Sequence, residues 1–293
     1  MELKDYKAKV LLFGEYTVIT GSNALAMPTD LFLGRWDFDR EEAQNQRVVL
    51  TGFQQYLTSL EFNKAIFLDH LFLKDLDQHL IFRSDIPIGY GLGSSGAVTA
   101  AIFDRYFQKD NQLSSVELKD ILGQMESYFH GSSSGLDPLI SYLDKAVFLK
   151  NKTIEFPPLP NQDKSRTFFL IDTKMPRKTA PLVEVFLKKY KSLDFQEIID
   201  EQLGQVNNQA IDAFLAGKTN SLFKAVHQIS QLQFEYFVEM IPDAFRKIWR
   251  TGLESDIFKL KLCGAGGGGF ILGITKQAEH LNSLNLKYHL LNI

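Results

Sequence analysis

Residues 87 to 97 read Pro87-Ile-Gly-Tyr-Gly-Leu-Gly-Ser-Ser-Gly-Ala97, a glycine loop that runs straight into the apolar stretch Val98 to Phe107. Such a loop presents unobstructed backbone N–H groups at a helix start, where partial positive charge gathers. Gly91 and Gly93 let the chain turn without a Cβ clash, and Ser94 and Ser95 add hydroxyls for a phosphate or a metal ion. The stretch reads as a phosphate cradle; simple helix capping or a tight turn is the plainer alternative. A Walker A loop is excluded because no Gly-Lys-Ser/Thr follows. A dinucleotide fingerprint is disfavoured because no acidic residue closes a βαβ unit about 20 residues on.

A second glycine run, Lys261-Leu-Cys-Gly-Ala-Gly-Gly-Gly-Gly-Phe270, lies between the β-like segments Phe258 to Cys263 and Phe270 to Ile274. Glycine loses more backbone entropy on folding than any other residue, and a hairpin turn needs only one or two. Close approach of this backbone to a ligand or to another loop explains the run better than a mere connector. Near the start, Lys9-Val-Leu-Leu-Phe-Gly-Glu-Tyr-Thr-Val-Ile-Thr-Gly21 reads as two short strands, Val10 to Phe13 and Tyr16 to Ile19, around a polar turn at Gly14 and Glu15. Read bare, Lys9 is a solvated lysine beside an ordinary hairpin.

These three stretches, in this order, resemble the GHMP kinase superfamily and most closely its mevalonate kinase family. The resemblance spans the chain: Lys-Val-Leu-Leu-Phe-Gly-Glu near the N-terminus, Pro-x-x-x-Gly-Leu-Gly-Ser-Ser in the middle, Lys-Leu-x-Gly-Ala-Gly-Gly-Gly-Gly near the end. It implies an α+β, two-domain GHMP kinase fold, with an N-terminal α/β nucleotide-binding domain over residues 1–165 and a C-terminal ferredoxin-like α+β domain over 166–293.

Two segments narrow the resemblance. Glu126-Ser-Tyr-Phe-His-Gly-Ser-Ser-Ser-Gly-Leu-Asp137 is similar to a mevalonate kinase stretch in which a helical glutamate is followed by His-Gly-x-x-Ser-Gly-x-Asp. Periodicity of Leu118, Ile121, Leu122 and Met125 predicts a helix over Val116 to Phe129, with Glu126 near its end. On bare sequence Asp137 before Pro138 is a helix N-cap; the resemblance makes it the catalytic aspartate and Glu126 a metal ligand. His130 reads as a loop or helix-end residue. The other segment, Leu170-Ile-Asp-Thr-Lys-Met-Pro-Arg-Lys-Thr179, is similar to Thr-Lys-x-Pro-Arg-x-Thr and leads into a helix from Ala180 to Lys191. Lys174, Arg177 and Lys178 cluster at that helix start against its dipole, which fits an anionic ligand or ordinary surface lysines.

The resemblance implies transfer of the ATP γ-phosphoryl group to an alcohol of a small anionic substrate, mevalonate first, with phosphomevalonate, a sugar or a homoserine-like alcohol as alternatives. It implies ATP and Mg²⁺ as cofactors. ATP phosphates fall to Pro87, Gly89, Gly91, Leu92, Gly93, Ser94, Ser95 and Gly96, and Mg²⁺ to Ser95 and Glu126. Asp137 orients or deprotonates the alcohol, and Lys9 keeps Asp137 ionised. The acceptor falls to Glu15, Tyr16, Thr173, Arg177, Gly266 and Gly267. Three positions depart from the pattern: Tyr16 stands where histidine is usual, Gly96 where alanine is, and Cys263 where threonine is. Tyr16 bears on which alcohol is accepted.

Other classes fit less well. Gly131-Ser-Ser-Ser-Gly135 matches the Gly-x-Ser-x-Gly elbow of esterases, with His227, His280 and His289 downstream, but its approach is helical where an elbow needs a strand. A non-catalytic nucleotide-binding protein predicts loss of Lys9, Glu126 or Asp137, and all three are present. A net charge of −3 gives no basic footprint for nucleic acid, and a single cysteine excludes an intramolecular disulfide. With no apolar run of 18 residues and no signal peptide, a soluble, cytoplasmic monomer or homodimer without membrane contact is expected. Coarse patterning predicts helices near Thr51 to Tyr56, 195–215, 219–238 and 242–253. It also predicts a hairpin plus linker from Lys150 to Asp163, strands at Thr167 to Asp172 and 286–292, and a strand pattern over Leu33 to Asp85 that covers the acceptor site.

Overall fold

The computed structural model describes residues 4–151, 153–161, 165–284 and 286–293. Two compact units emerge: unit 1 from Met1–Lys9, Pro28–Pro87 and Gly93–Lys145, and unit 2 from Val10–Met27, Ile88–Leu92 and Ala146–Ile293. The division differs from a single cut between 165 and 166, because early segments of the chain are counted with the C-terminal part. Residues 162–164, at the end of the expected linker, lie outside the described residues.

Strands β1 (Tyr6–Phe13) and β2 (Ala24–Phe38) open the chain, followed in unit 1 by α1 (Arg40–Thr58), β3 (Ala65–Phe67), α2 (Asp69–Asp77), β4 (Leu80–Ser84), α3 (Ser94–Tyr106), β5 (Phe107–Lys109), α4 (Ser115–His130) and α5 (Leu136–Leu143). The second half of β2 pairs antiparallel with β4, from Gly34 opposite Ser84 to Phe38 opposite Leu80. Trp36, Phe72, Phe82 and Tyr106 form an aromatic core there, with the Trp36 indole donating to the Ala101 carbonyl at 3.2 Å. Helix α3 packs on α5 and α4, and its inner face is small: Gly96, Ala97, Thr99, Ala100 and Ala101 are buried. Small side chains let helix axes approach closely, so whatever starts α5 is carried up against the start of α3.

Unit 2 continues with the hairpin β6 (Val147–Lys150) and β7 (Thr153–Glu155), then β8 (Thr167–Asp172), α6 (Thr179–Lys189), α7 (Leu193–Glu197), a π-helical stretch (Ile198–Leu203), α8 (Gly204–Leu215), α9 (Thr219–Tyr236), α10 (Asp243–Glu254), β9 (Phe258–Leu262), β10 (Phe270–Thr275) and β11 (Tyr288–Leu291). Its antiparallel sheet runs β11-β8-β10-β9. The glycine run is the connection of the β9–β10 hairpin, as the sequence predicts, with Leu262 opposite Ile271. All five residues of β9 are buried, two of them lysines, so each amine needs a buried partner. Lys259 donates to the Gly252 carbonyl at 2.9 Å and to that of Ser255, at the C-terminal end of α10 where carbonyls are otherwise unpaired. Lys261 pairs with Glu15.

Three expectations are corrected. Tyr16 to Ile19 is not a strand: Gly14 and Tyr16 take positive φ (114° and 63°), and turn bonds Val18 N–H to Gly14 O and Ile19 N–H to Tyr16 O replace a ladder. The second strand begins instead at Ala24. The segment from Leu33 to Asp85 is mostly helical, because Asp39 caps α1 by accepting from the N–H groups of Glu41 and Glu42, and α1 extends well beyond Thr51 to Tyr56. The helix predicted over 195–215 is interrupted by the π-helical turn. No described helix is long and apolar enough to cross a membrane.

Candidate active site

The chain returns to unit 1 at Gly93, which holds φ +74° and caps α3 without a side chain. Helix α3 begins at Ser94, four residues earlier than its apolar run suggests. The N–H groups of Ser94, Ser95 and Gly96 fall in the first turn, where no intrahelical acceptor exists, and no acidic side chain sits there to compete for an anion. Pro87 closes the preceding segment of unit 1.

Asp137 is not the cap of α5. Gly135 holds that position, and Asp137 is the second residue of the helix. Its carboxylate instead meets the Lys9 ammonium at 3.0 Å, with the lysine the more buried of the two. Gly93 faces both: a Cβ there would stand 3.0 Å from Lys9 Cγ and 3.4 Å from Asp137 Oδ2. Gly96 explains one departure from the family pattern, since a Cβ at that position would lie 2.9 Å from the Asp137 Cβ and the Pro138 nitrogen. Backbone cannot yield as a side-chain tip can, so glycine allows α5 to bring Asp137 this near to α3.

Glu126 is buried on the inner face of α4. The Ser95 hydroxyl donates to its Oε1 at 2.8 Å, and the Ser133 hydroxyl to its Oε2 at 2.5 Å. His130 Nε2 lies 2.9 Å from Ser95 Oγ, and because the one Ser95 proton is committed to Glu126, His130 is the donor. Burial first, and then the charge of Asp137, push the Glu126 carboxyl up to about 7, against the two hydroxyls and Lys9. Two carboxylates and one lysine leave this corner short of positive charge. Its hard oxygen donors, the Glu126 carboxylate and the Ser95 hydroxyl, suit a small divalent cation. Among the described residues no group of three or more His, Cys, Asp and Glu side chains could hold a metal.

Unit 2 carries the remaining predicted residues. Gly89 accepts from the Arg177 N–H at 2.9 Å, and the Arg177 guanidinium lies over Gly91, where a Cβ would collide with it. Arg177 Nη1 also donates to the Gly266 carbonyl at 2.9 Å. Thr173 Oγ1 donates to the Gly269 carbonyl at 2.7 Å, and Gly267 N–H to the Met240 carbonyl at 2.6 Å. The glycine run is thus threaded among other loops, the reason such a run is tolerated: Gly264, Gly266, Gly267, Gly268 and Gly269 all take positive φ. The Leu92 side chain is buried.

Tyr16 is buried between Phe186 and Phe237, with ring centroids at 4.8 and 5.1 Å, and its hydroxyl donates to the Ala265 carbonyl at 2.6 Å. Burial pushes its phenol well above the usual range. Glu15 and Lys261 form a buried ion pair; burial raises the Glu15 carboxyl, with Lys261 opposing. Both therefore hold the glycine run rather than facing solvent. Lys174 and Lys178 are exposed.

Sequence reasoning missed Ser133, His130 and Lys261 as partners. Ser133 occupies an unspecified position of the His-Gly-x-x-Ser-Gly-x-Asp pattern and gives no signal. Lys261 does give one: a lysine inside a buried apolar strand implies an acid elsewhere. The esterase alternative is not supported, because Gly131 to Gly135 follows a helix and the Ser133 hydroxyl engages a carboxylate.

Residues 62–145 match the family described as GHMP kinases N terminal domain. A mevalonate kinase of Dictyostelium discoideum is 26% identical over 70% of this chain, spanning 60% of that protein. One from Thermococcus gammatolerans is 29% identical over 97% of this chain and 92% of its own length. The crystal structure of L. major mevalonate kinase in complex with R-mevalonate superimposes with a TM-score of 0.66, at 18% identity over 97% of this chain and 90% of that one, and so shares the fold.

Proposed function

We propose that this chain, which belongs to the GHMP kinase superfamily and is most similar to mevalonate kinases, is an ATP-dependent phosphotransferase acting on the alcohol of a small anionic acceptor, mevalonate first. The observation that carries the reading is the pairing of Lys9 with Asp137 beside the glycine that starts α3.

Phosphoryl transfer needs positioning and charge neutralisation more than covalent chemistry. The N–H groups of Ser94, Ser95 and Gly96 bind phosphate oxygens, with Gly89, Gly91 and Leu92 shaping the approach of the loop. Asp137 orients the acceptor hydroxyl and takes its proton at a carboxylate oxygen. Lys9 pairs with Asp137, fixes its carboxylate and offsets negative charge as it develops. Glu126 and Ser95 are the residues that would hold Mg²⁺, which favours one or two carboxylates with phosphate oxygens and water as its other ligands. When bound, that ion supplies charge neutralisation at the transferred phosphoryl group. Within unit 2, Thr173 and Arg177 bond to carbonyls of the glycine run, and Glu15 and Tyr16 brace the same run.

A second reading, the same transfer to another alcohol, rests on Tyr16, which replaces the family's usual histidine and has its hydroxyl already committed to Ala265. Coupled ADP release across mevalonate, phosphomevalonate, galactose and homoserine separates the two. Highest kcat/KM with mevalonate supports the first reading; a higher value with any other member of the panel supports the second. ADP release with none of them rejects both.

A further inference from the structure

The loop that joins α4 to α5 reaches back to the buried carboxylate of α4. Gly135 N–H donates to Ser133 Oγ at 3.0 Å, which occupies a lone pair and directs the hydroxyl proton to Glu126 Oε2 at 2.5 Å. The other oxygen, Oε1, receives the Ser95 hydroxyl at 2.8 Å. Each carboxylate oxygen is thus held by a hydroxyl from a different element, and the residue is only 4% exposed.

The loop itself has little freedom. A Cβ on Gly135 would strike the Lys119 carbonyl and stand 2.8 Å from the Gly123 nitrogen, while one on Gly123 would stand 3.1 Å from the Ser133 carbonyl. Glycine at both positions presses the loop against α4. Ser134, the serine that the family pattern specifies, is exposed, and its Oγ makes a long contact of 3.4 Å with the Leu136 N–H. The serine that reaches Glu126 is its neighbour, at a position the pattern leaves open.

We propose that Ser133 is a positioning residue for Glu126: it fixes Oε2 so that Oε1 is presented beside Ser95 as a ligand for the divalent cation. This rests on the reading of Glu126 as a metal ligand. Removing the hydroxyl leaves a buried carboxylate oxygen without its donor and lets the carboxylate turn, and partners of metal ligands commonly matter this much. Because Gly135 also caps α5, the same hydroxyl links the Glu126 carboxylate to the helix that carries Asp137.

The test follows Mn²⁺ binding to the ADP-saturated whole chain by electron paramagnetic resonance, for wild type, Ser133→Ala, Ser133→Thr and Glu126→Gln. Ser133→Ala is expected to weaken Mn²⁺ binding by roughly 10- to 100-fold, with Ser133→Thr restoring it because the hydroxyl returns. The unsatisfied carboxylate oxygen is expected to lower the melting temperature of Ser133→Ala, but metal-free ADP affinity is expected to stay near wild type, which separates positioning from a general structural loss. Wild-type Mn²⁺ affinity in Ser133→Ala, with a clear loss in Glu126→Gln, overturns the role of Ser133 and leaves the metal site standing. Wild-type affinity in both variants overturns the metal site and the inference with it.

Discussion

Lys9 on β1 and Asp137 on α5 meet at 3.0 Å, with Gly93 filling the space between their side chains and the start of α3. The three come from separate parts of the chain, and each limits the others. A longer residue at 93 would displace the lysine stem; loss of the lysine would leave Asp137 beside Glu126 with no counter-charge. The pair therefore fixes the orientation of the Asp137 carboxylate beside the start of α3.

Replacing Asp137 by Asn keeps the shape and removes charge and basicity. Turnover is expected to fall by roughly 10²- to 10⁴-fold, the usual span for a general base. ATP affinity measured by calorimetry should survive. Wild-type turnover would show that Asp137 serves only the packing of α5.

Gly96→Ala restores the family's usual residue but places a Cβ 2.9 Å from the backbone of α5. Overpacking of this kind costs about 1–3 kcal/mol, and here it pushes on the helix that carries Asp137. A lower melting temperature together with a reduced kcat is expected. A gain in stability would mean that α5 shifts freely and that its closeness to α3 is not needed.

The Glu15–Lys261 pair is buried on both sides, so removing one partner strands the other. Lys261→Met is expected to destabilise unit 2 by about 3–5 kcal/mol, and the double variant Glu15→Gln, Lys261→Met to recover much of the loss. Chemical denaturation of the three proteins measures this directly. Equal loss in the single and double variants would show that the pair is not coupled.

Tyr16→Phe removes one hydrogen bond, to Ala265, and leaves the aromatic packing against Phe186 and Phe237. A modest fall in melting temperature is expected, because the glycine run loses its bond at Ala265. An unchanged melting temperature would show that the Tyr16 hydroxyl does not brace the run.

Helix α4 begins with a reciprocal cap in which Ser114 N–H donates to Glu117 at 2.9 Å and the Ser114 hydroxyl accepts from Glu117 N–H at 3.3 Å. The Ser114 hydroxyl, Lys64 and the Ser114 N–H hold the Glu117 carboxyl down to about 2. A depressed carboxyl contributes stability above its ordinary value near 4.5, and the contribution is lost as pH falls toward 2. Melting curves of Glu117→Gln and wild type should therefore differ most near neutral pH and converge in acid. A gap that widens on acidification would contradict this sign.

The glycine loops and the helical spacing of α4 were legible because they obey local rules: backbone that must bend, and apolar residues at helical intervals. The family resemblance then singled out Lys9, Glu126 and Asp137, which lie near one another in unit 1. Local patterning misjudged Tyr16 to Ile19, since apolar residues in consecutive turns look like a strand until a positive φ at Tyr16 is known. It also caught only the Thr51 to Tyr56 part of α1, whose polar first half, Arg40 to Arg47, hides a helix that starts at the Asp39 cap. Partners such as Ser133 were not legible, because a hydroxyl reaching a carboxylate on a neighbouring element leaves no periodic trace.

Unit 2 draws on Val10–Met27 and Ile88–Leu92 as well as on the last half of the chain. During synthesis these early segments emerge long before most of their partners. Every segment of unit 1 is available once Lys145 has left the ribosome, whereas Val10, Leu12 and Phe13, fully buried in the finished protein, must wait for later segments. A fragment ending near residue 165 would therefore leave apolar surface from the first strand uncovered. Separate expression of two halves is expected to yield aggregation-prone pieces, and co-expression should be needed before either becomes well behaved.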